Sequence, residues 1–396
     1  MDMLYIAEGG ITNSVFDSQV FHLIRALKRG GINIQLALLE DFSQRKSKKL
    51  AERFPEVRAE FPDCIDMVSL PVLGRLSLCV DGMRLRWLDG RKWRGTRDGR
   101  IVHARGHLGS YIAAKFFPSS GIISDLRGLL SAEVMYYSGG GLRALTKDFR
   151  VSEILKMEKY IFKHSDRFFC VSSKLKEYII GQSDVPPDRI TVIPTVVDTD
   201  FFCFDAGKRE EMRDLLGVKN RFVFIYSGGA TRWQVPDKII DLFRNLKKNI
   251  PEAFLIFLTN DIKEAYGYFK GMDQADFLVA NAPYKEVPSY LNAADAGILI
   301  REENPVNRVA SPTKFGEYLC CGLPVIITKG IGDTENIVSE LKSGVIIEDV
   351  NSVPEVNSVR SVIKTDKSSL SVAASHIFSV KDNVNKIISV YKSLQV

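Results

Sequence analysis

The 396-residue sequence predicts an α/β protein made of two doubly wound, Rossmann-like domains, and three observations carry that expectation. A strand (Leu4 to Ala7), a glycine turn (Glu8-Gly9-Gly10) and an amphipathic helix (about Ser14 to Arg29) open the chain. The same succession returns at Phe222 to Tyr226, Ser227-Gly228-Gly229 and a helix from near Pro236. Between Ala310 and Thr328 a helix, a glycine terminator and the fully apolar strand Val325-Ile326-Ile327 form a third such unit, of the kind buried inside a parallel sheet.

In the first domain the opening helix buries Val20, Leu23, Ile24 and Leu27, and Gly30-Gly31 closes it before the strand Ile34 to Leu39. Gly9 and Gly10 let backbone approach a ligand closely at the strand's carboxyl end, or simply make a tight turn. A third glycine of the dinucleotide fingerprint is absent, so no nicotinamide cofactor is expected. Further strands are read at Met67 to Leu70, Ile101 to Ala104, Gly121 to Asp125, Arg167 to Val171 and Ile190 to Ile193, with a clear helix from Val151 to Lys163. His103, Arg105 and His107 surround one strand exit, and Asp125 and Arg127 follow the next, where open sheets bind ligands. Between Arg75 and Arg105 lies a basic segment with Trp87 and Trp93. It reads as a solvated face, a surface for anionic lipid or, last, a nucleic-acid patch, although no nucleic-acid module surrounds it.

The second domain continues with Thr231-Arg232-Trp233-Gln234, and Arg232 and Lys238 flank a helix N-terminus suited to a diphosphate. Strands are expected at Phe254 to Leu258, Phe277 to Val279 and Ala296 to Ile300, and a helix at Val287 to Ala293. In the Ala310 to Thr328 block, Ser311 is expected to cap a helix whose first residue is Pro312. Phe315, Tyr318 and Leu319 give that helix an apolar face, Gly322 its left-handed end and Pro324 its stop. Lys314 and Glu317 lie on its polar side, either as a solvated pair or as a lysine for a phosphate and a glutamate for hydroxyls. The final helix, roughly Asp382 to Leu394, buries Val384, Ile387, Ile388 and Tyr391.

Hydrophobic content of 45% and charged content of 26% are those of a globular protein, and no apolar run approaches the roughly 20 residues of a membrane span. The start lacks the basic region of a secretory leader, and the six cysteines show no metal-ligand spacing. A cytoplasmic protein with free thiols is expected. Asp198-Thr199-Asp200 falls in an interdomain passage and reads as turn chemistry, so no metal is expected.

The Pro-x-Lys-x-x-Glu-Tyr helix with its Gly-x-Pro-Val sequel resembles the nucleotide-sugar site of family-4 glycosyltransferases, retaining enzymes of the GT-B fold. The resemblance is strong after about Phe222 and looser before it. It implies two domains facing a central cleft, residues 1–200 and 201–377, with a helix from about 378 to 396 crossing back to the first. It implies that Glu317 holds ribose hydroxyls, that Gly9 and Gly10 lie near the donor phosphates, and that Arg232, with Lys238, grips them beside the Gly229 turn. A loop at Tyr284 would meet the base, and His107 would touch donor or acceptor, unless it is hydrogen-bonded behind the site. Arg105, Asp125 and Arg127 would face the acceptor.

The implied function is transfer of a sugar with retention from a nucleotide donor, UDP ahead of GDP, to a lipid-linked or oligosaccharide acceptor in envelope polysaccharide synthesis. No cofactor is implied, and an anionic inner membrane surface would be met through the basic segment. Arg232, Lys238 and Lys314 would stabilise the leaving diphosphate without a metal. One departure stands out. A first glutamate eight positions before the second is common in the family, and Val309 occupies that place. Glu302, Glu303, Asn304, Asn307 or the amides of Ser311 to Thr313 are the candidates to replace it. Its loss keeps open a non-catalytic nucleotide-sugar binding partner, and another GT-B enzyme such as an epimerase or a phosphorylase is a separate alternative.

Overall fold

The computed structural model describes residues 1–8, 11, 16–41, 48–62, 64–69, 100–118, 120–137, 147–230 and 234–394. Gly9, Gly10, Arg232 and the basic segment up to residue 99, with Trp87 and Trp93, lie outside the described residues. The chain divides into two compact units, Met1–Ile193 with Asn383–Val396, and Pro194–Asp382.

The first unit holds seven parallel strands: β1 (Asp2–Glu8), β2 (Asn33–Asp41), β3 (Ile65–Ser69), β4 (Ile101–Arg105), β5 (Gly121–Leu126), β6 (Arg167–Cys170) and β7 (Ile190–Val192). Their order, β3-β2-β1-β4-β5-β6-β7, reverses direction beside β1. Such a reversal opens a crevice at the carboxyl ends of the strands on either side of it, here β1 and β4. Tyr5 stands opposite His103 and Ala7 opposite Arg105, which in turn stands opposite Asp125. The opening helix begins with a five-residue π turn, Asp17–Phe21, before the α-helix His22–Arg29, and its expected start near Ser14 lies outside the described residues. The last helix, Val380–Ser393, packs on this unit, where the buried Tyr391 hydroxyl meets His103 Nδ1 at 2.6 Å.

The second unit has six parallel strands: β8 (Phe222–Ser227), β9 (Ala253–Leu258), β10 (Phe277–Ala280), β11 (Ala296–Leu299), β12 (Val325–Thr328) and β13 (Gly344–Ile347). Their order is β10-β9-β8-β11-β12-β13, reversing between β8 and β11. The apolar runs are buried on both faces. Phe222, Phe224 and Tyr226 point into one cluster with Phe243 and Phe257, while Val223 and Ile225 join Phe315, Tyr318 and Leu319 in the other. Asp295 ties the start of β11 to β8 by accepting from Val223 N–H at 2.8 Å and pairing with Arg209 at 2.5 Å and Arg213 at 3.1 Å. Elements to which the sequence reading assigned nothing include β13 and the helices Ala206–Leu215, Thr334–Leu341 and Lys367–Phe378, the last capped by Asp366, which accepts from Ser368 and Ser369 N–H.

The helix of the 310–328 block spans Thr313–Cys320. Gly322 ends it at φ +66°, where a side chain would also strike the Lys367 carbonyl. Its start corrects the sequence expectation. Pro312 occupies the cap position and Ser311 does not cap. The Ser311 hydroxyl instead accepts from Thr195 N–H at 3.0 Å, and its carbonyl accepts from the Thr195 hydroxyl at 2.6 Å. Across the sheet, Gly297 leaves room for the Tyr318 ring, since a Cβ there would come within 2.5 Å of it. Gly297→Ala is expected to cost about 2 kcal/mol by overpacking and to lower the melting temperature by roughly 6 °C, as read by thermal denaturation. An unchanged melting temperature would show that Tyr318 can step aside. Among the described residues no helix is long and apolar enough to cross a membrane.

Candidate functional site

The reversal between β8 and β11 places the second unit's polar groups at one end of its sheet. β8 stops at Ser227, and the chain turns through Gly228-Gly229. The Tyr226 hydroxyl donates to the Gly229 carbonyl at 2.7 Å, and Ser227 N–H donates to the Tyr318 hydroxyl oxygen at 2.8 Å. This clamps the glycine turn to the Thr313–Cys320 helix. Lys314 reaches over the turn: its Nζ lies 4.3 Å from the centre of the Tyr226 ring and donates to Gln234 Oε1 at 3.1 Å. A Cβ on Gly228 would fall where the Lys314 amine and the Tyr226 hydroxyl now sit, so a side chain there would displace them. The arrangement is a cation held over a turn with free backbone approach, as an anionic ligand requires.

Lys314 is half-buried and Glu317 buried, which tells against the solvated-pair alternative of the sequence reading. Glu317 is 9% exposed, because the helix is covered on its other flank too, where Gly316 packs against Val197 and Phe378. Burial pushes the Glu317 carboxyl up to about 7, opposed by the charge of Lys314. Burial likewise drives Lys314 well below the ordinary lysine range, and Arg301 adds to that shift while Glu317 opposes it. An arriving diphosphate would reverse the balance by favouring the charged lysine.

The loop after β11 offers Glu302, Glu303, Asn304 and Asn307 in place of the missing glutamate, and the amides of Ser311 to Thr313 are the alternative. Asn304 caps the short helix Pro305–Arg308 by accepting from Asn307 N–H at 2.9 Å. Asn307 donates to the Glu302 carbonyl at 2.8 Å and accepts from Arg301 Nη1 at 3.2 Å. Glu303 pairs with Arg308 at 2.7 Å on the surface, Glu302 is exposed and Val309 is 4% exposed. The two asparagines are thereby engaged in shaping the loop.

In the first unit His103, Arg105, Asp125 and Arg127 do converge, but as an interior network. His103 is fully buried, with Nε2 3.5 Å from Asp125 Oδ2. Arg127 donates to the same oxygen at 2.8 and 3.1 Å, and Arg105 lies 3.5 Å from it. Against the upward push of burial, Arg127, the His103 hydrogen bond and Arg105 hold the Asp125 carboxyl well below its usual range. Burial lowers His103, which Asp125 opposes, and raises the neighbouring Tyr5 hydroxyl to about 12. His107 begins the helix His107–Phe116 and is buried with Nε2 3.4 Å from Glu158 Oε1. Gly106 precedes it at φ +88°, and Glu8 Oε2 accepts from Leu108 N–H at 2.9 Å, capping that helix across the reversal.

Of the remaining sequence candidates, Lys238 is the third residue of the helix Pro236–Asn249 and half-buried. Tyr284 stacks on Phe201 with ring centres 6.0 Å apart and is 38% exposed. Thr313 opens the Lys314 helix and is half-buried. Sequence reasoning missed Tyr226, Gln234, Tyr318 and Arg301 as members of the site. Only Arg301 carried a signal, as a charged residue at the exit of a buried strand.

Comparison with known proteins defines the class. The Glycosyltransferase Family 4 model matches residues 18–201 and the Glycosyl transferases group 1 model matches residues 207–375. HepE from Anabaena, solved with UDP, superposes over all of both chains with a TM-score of 0.68 at 16% identity. With its two doubly wound sheets, the chain has the fold of the GT-B glycosyltransferases. More particularly, its first half matches the Family 4 model and its second half the group 1 model. A protein of Bacillus subtilis named for teichuronic acid biosynthesis, TuaH, is 22% identical over 209 residues, 52% of this chain and 50% of its own. The UDP-Gal:alpha-D-GlcNAc-diphosphoundecaprenol alpha-1,3-galactosyltransferase of Escherichia coli is 27% identical over 200 residues, 48% and 50% of the two chains. The match thus spans about half the length of these curated relatives.

Proposed function

We propose that this chain transfers a sugar from a UDP-sugar to a lipid-linked or oligosaccharide acceptor, with retention and without a metal, in surface polysaccharide synthesis. The observation that carries the reading is the half-buried Lys314 over the Gly228-Gly229 turn, with the buried Glu317 one helical turn on, at the strand reversal. Lys314, with Arg232 and Lys238, would meet the charge growing on the leaving diphosphate, and a preorganised donor of this kind is commonly worth about 3 kcal/mol. Glu317 would accept from two ribose hydroxyls, while the amides of Ser311 to Thr313, the Gly9-Gly10 turn and Tyr284 would line the donor. A donor phosphate oxygen would take the acceptor's proton, so no side-chain base is required. Arg105, Asp125 and Arg127, with His107 behind them, would shape the acceptor side as a rigid charged frame.

The UDP in the HepE complex and the diphosphoundecaprenol acceptor in the Escherichia coli relative's name support the choice of donor and acceptor classes. Purified protein incubated with a panel of UDP-sugars and a polyprenyl-diphosphate sugar should release UDP and extend the acceptor. Release of UDP from none of them would overturn the reading. The buried Val309 favours one rival, a non-catalytic binding partner, which would bind a UDP-sugar by calorimetry yet turn none over.

A further inference from the structure

Arg301 follows the apolar strand β11 by two residues and is 9% exposed. A guanidinium so placed has to be paired or to serve a ligand. Its position is set by register. Gly297 stands opposite Ile225, so continuing the parallel pairing to the ends of both strands brings Leu299 level with Ser227, and Arg301 follows two residues beyond that end. Side chains leading up to it alternate between the two faces of the sheet. Ile298 and Ile300 belong to the cluster of Phe224 and Phe257, whereas Leu299 belongs to that of Phe315 and Tyr318. Arg301, just beyond the strand, lies within electrostatic reach of both Lys314 and Tyr226. Its charge accordingly adds to the burial that lowers Lys314, and works against the burial that raises Tyr226.

The residue is held ready at both ends. Arg301 N–H donates to Thr328 Oγ1 at 2.9 Å, and the same hydroxyl donates to the Arg301 carbonyl at 2.8 Å. Neither bond uses the side chain. Nη1 donates to Asn307 Oδ1, and Asn307 is itself fixed by Asn304 and the Glu302 carbonyl. Arg301 and Lys314 are thus two basic side chains within electrostatic reach of one another, and an anionic ligand arriving there would favour the charged form of both.

Resting on the nucleotide-sugar reading above, we infer that Arg301 is a donor-binding residue that contacts a negatively charged group of the donor beside Lys314. That group is the diphosphate or a carboxylate carried by the sugar.

Calorimetry of the full chain and its Arg301→Gln variant with UDP, UDP-glucose and UDP-glucuronate separates the two sources. If the diphosphate is the partner, all three ligands weaken together by roughly tenfold or more. If the partner is a sugar carboxylate, UDP and UDP-glucose are unaffected and UDP-glucuronate alone weakens, again roughly tenfold. Either pattern supports the assignment. Three unchanged affinities in a cooperatively melting variant overturn it while leaving the nucleotide-sugar reading intact. Wild-type protein that binds none of the three overturns that reading, and the inference with it. Should the glutamine variant not melt cooperatively, Arg301→Met keeps the buried stem and takes its place with the same outcomes.

Discussion

Lys314→Met is expected to lower kcat/KM on the true donor about a hundredfold while leaving the melting temperature at neutral pH no lower than that of the wild type. The two halves of that result have one cause. Burial first, then Arg301, hold the lysine well below its ordinary range, so keeping it charged in the empty site is unfavourable. A group depressed in this way contributes a penalty that is absent above its unfolded value and grows as pH falls through the window between its unfolded and folded values. Methionine has no such penalty and still fills the space over the Tyr226 ring. Catalysis is another matter, because on the proposed reading the leaving diphosphate would supply the negative charge that the empty site lacks, and the lysine would then stabilise charge that appears only as the bond breaks. Steady-state kinetics beside a thermal melt check both halves. Wild-type kinetics in the variant would remove Lys314 from the leaving-group site. A lower melting temperature would show that the lysine supports the fold.

How much of this was legible in the sequence depends on which physical signal each element carries. Strands with apolar runs, such as β8, β9 and β12, announced themselves because both of their faces are buried. β13 did not: Gly344-Val-Ile-Ile is a short run at the sheet edge with three half-buried residues, and its glycine start reads as a turn. Helix ends marked by Gly322 and Pro236 were readable, since each residue restricts the backbone locally. Ser311 looked like a cap for the same local reason, and a distant partner, Thr195, took its hydrogen bonds instead.

The same distinction runs through the site. Spacing put Lys314 and Glu317 one turn apart on a helix, but it could not say that Val197, Phe378 and Tyr226 would enclose them. Burial turned an apparently solvated pair into one with displaced ionisation. Arg301 was passed over because its importance depends on the register of β11 against β8, a fact of tertiary structure. In the first unit the sequence pointed to the right cluster, yet Tyr391, almost three hundred residues from its partner His103, completes it.

Glu317→Gln should weaken UDP binding roughly tenfold to a hundredfold, the range for losing hydrogen bonds to a charged acceptor, and should also make the protein more stable in alkaline solution. The stability change follows from the carboxyl being pushed up to about 7 by burial, against an ordinary value of 4.5. The folded wild type therefore holds a proton that the unfolded chain releases earlier. Stability from this group is full below about 4.5 and falls away as pH rises through 7, amounting to roughly 2–3 kcal/mol between pH 5 and pH 8. Glutamine carries no titrating proton, so the melting temperature of the variant relative to wild type should climb by roughly 5–8 °C over that interval. Thermal melts of both proteins at pH 5 and pH 8, with calorimetry using UDP at pH 8, read the two effects separately. A melting difference that stays constant with pH would mean the carboxyl is not buried as a neutral acid. Undiminished UDP affinity would mean that the ribose is held elsewhere. A variant both sturdier and unable to grip nucleotide is the expected outcome, because a carboxylate kept in a dry crevice is maintained at the expense of the fold only where a ligand will use it.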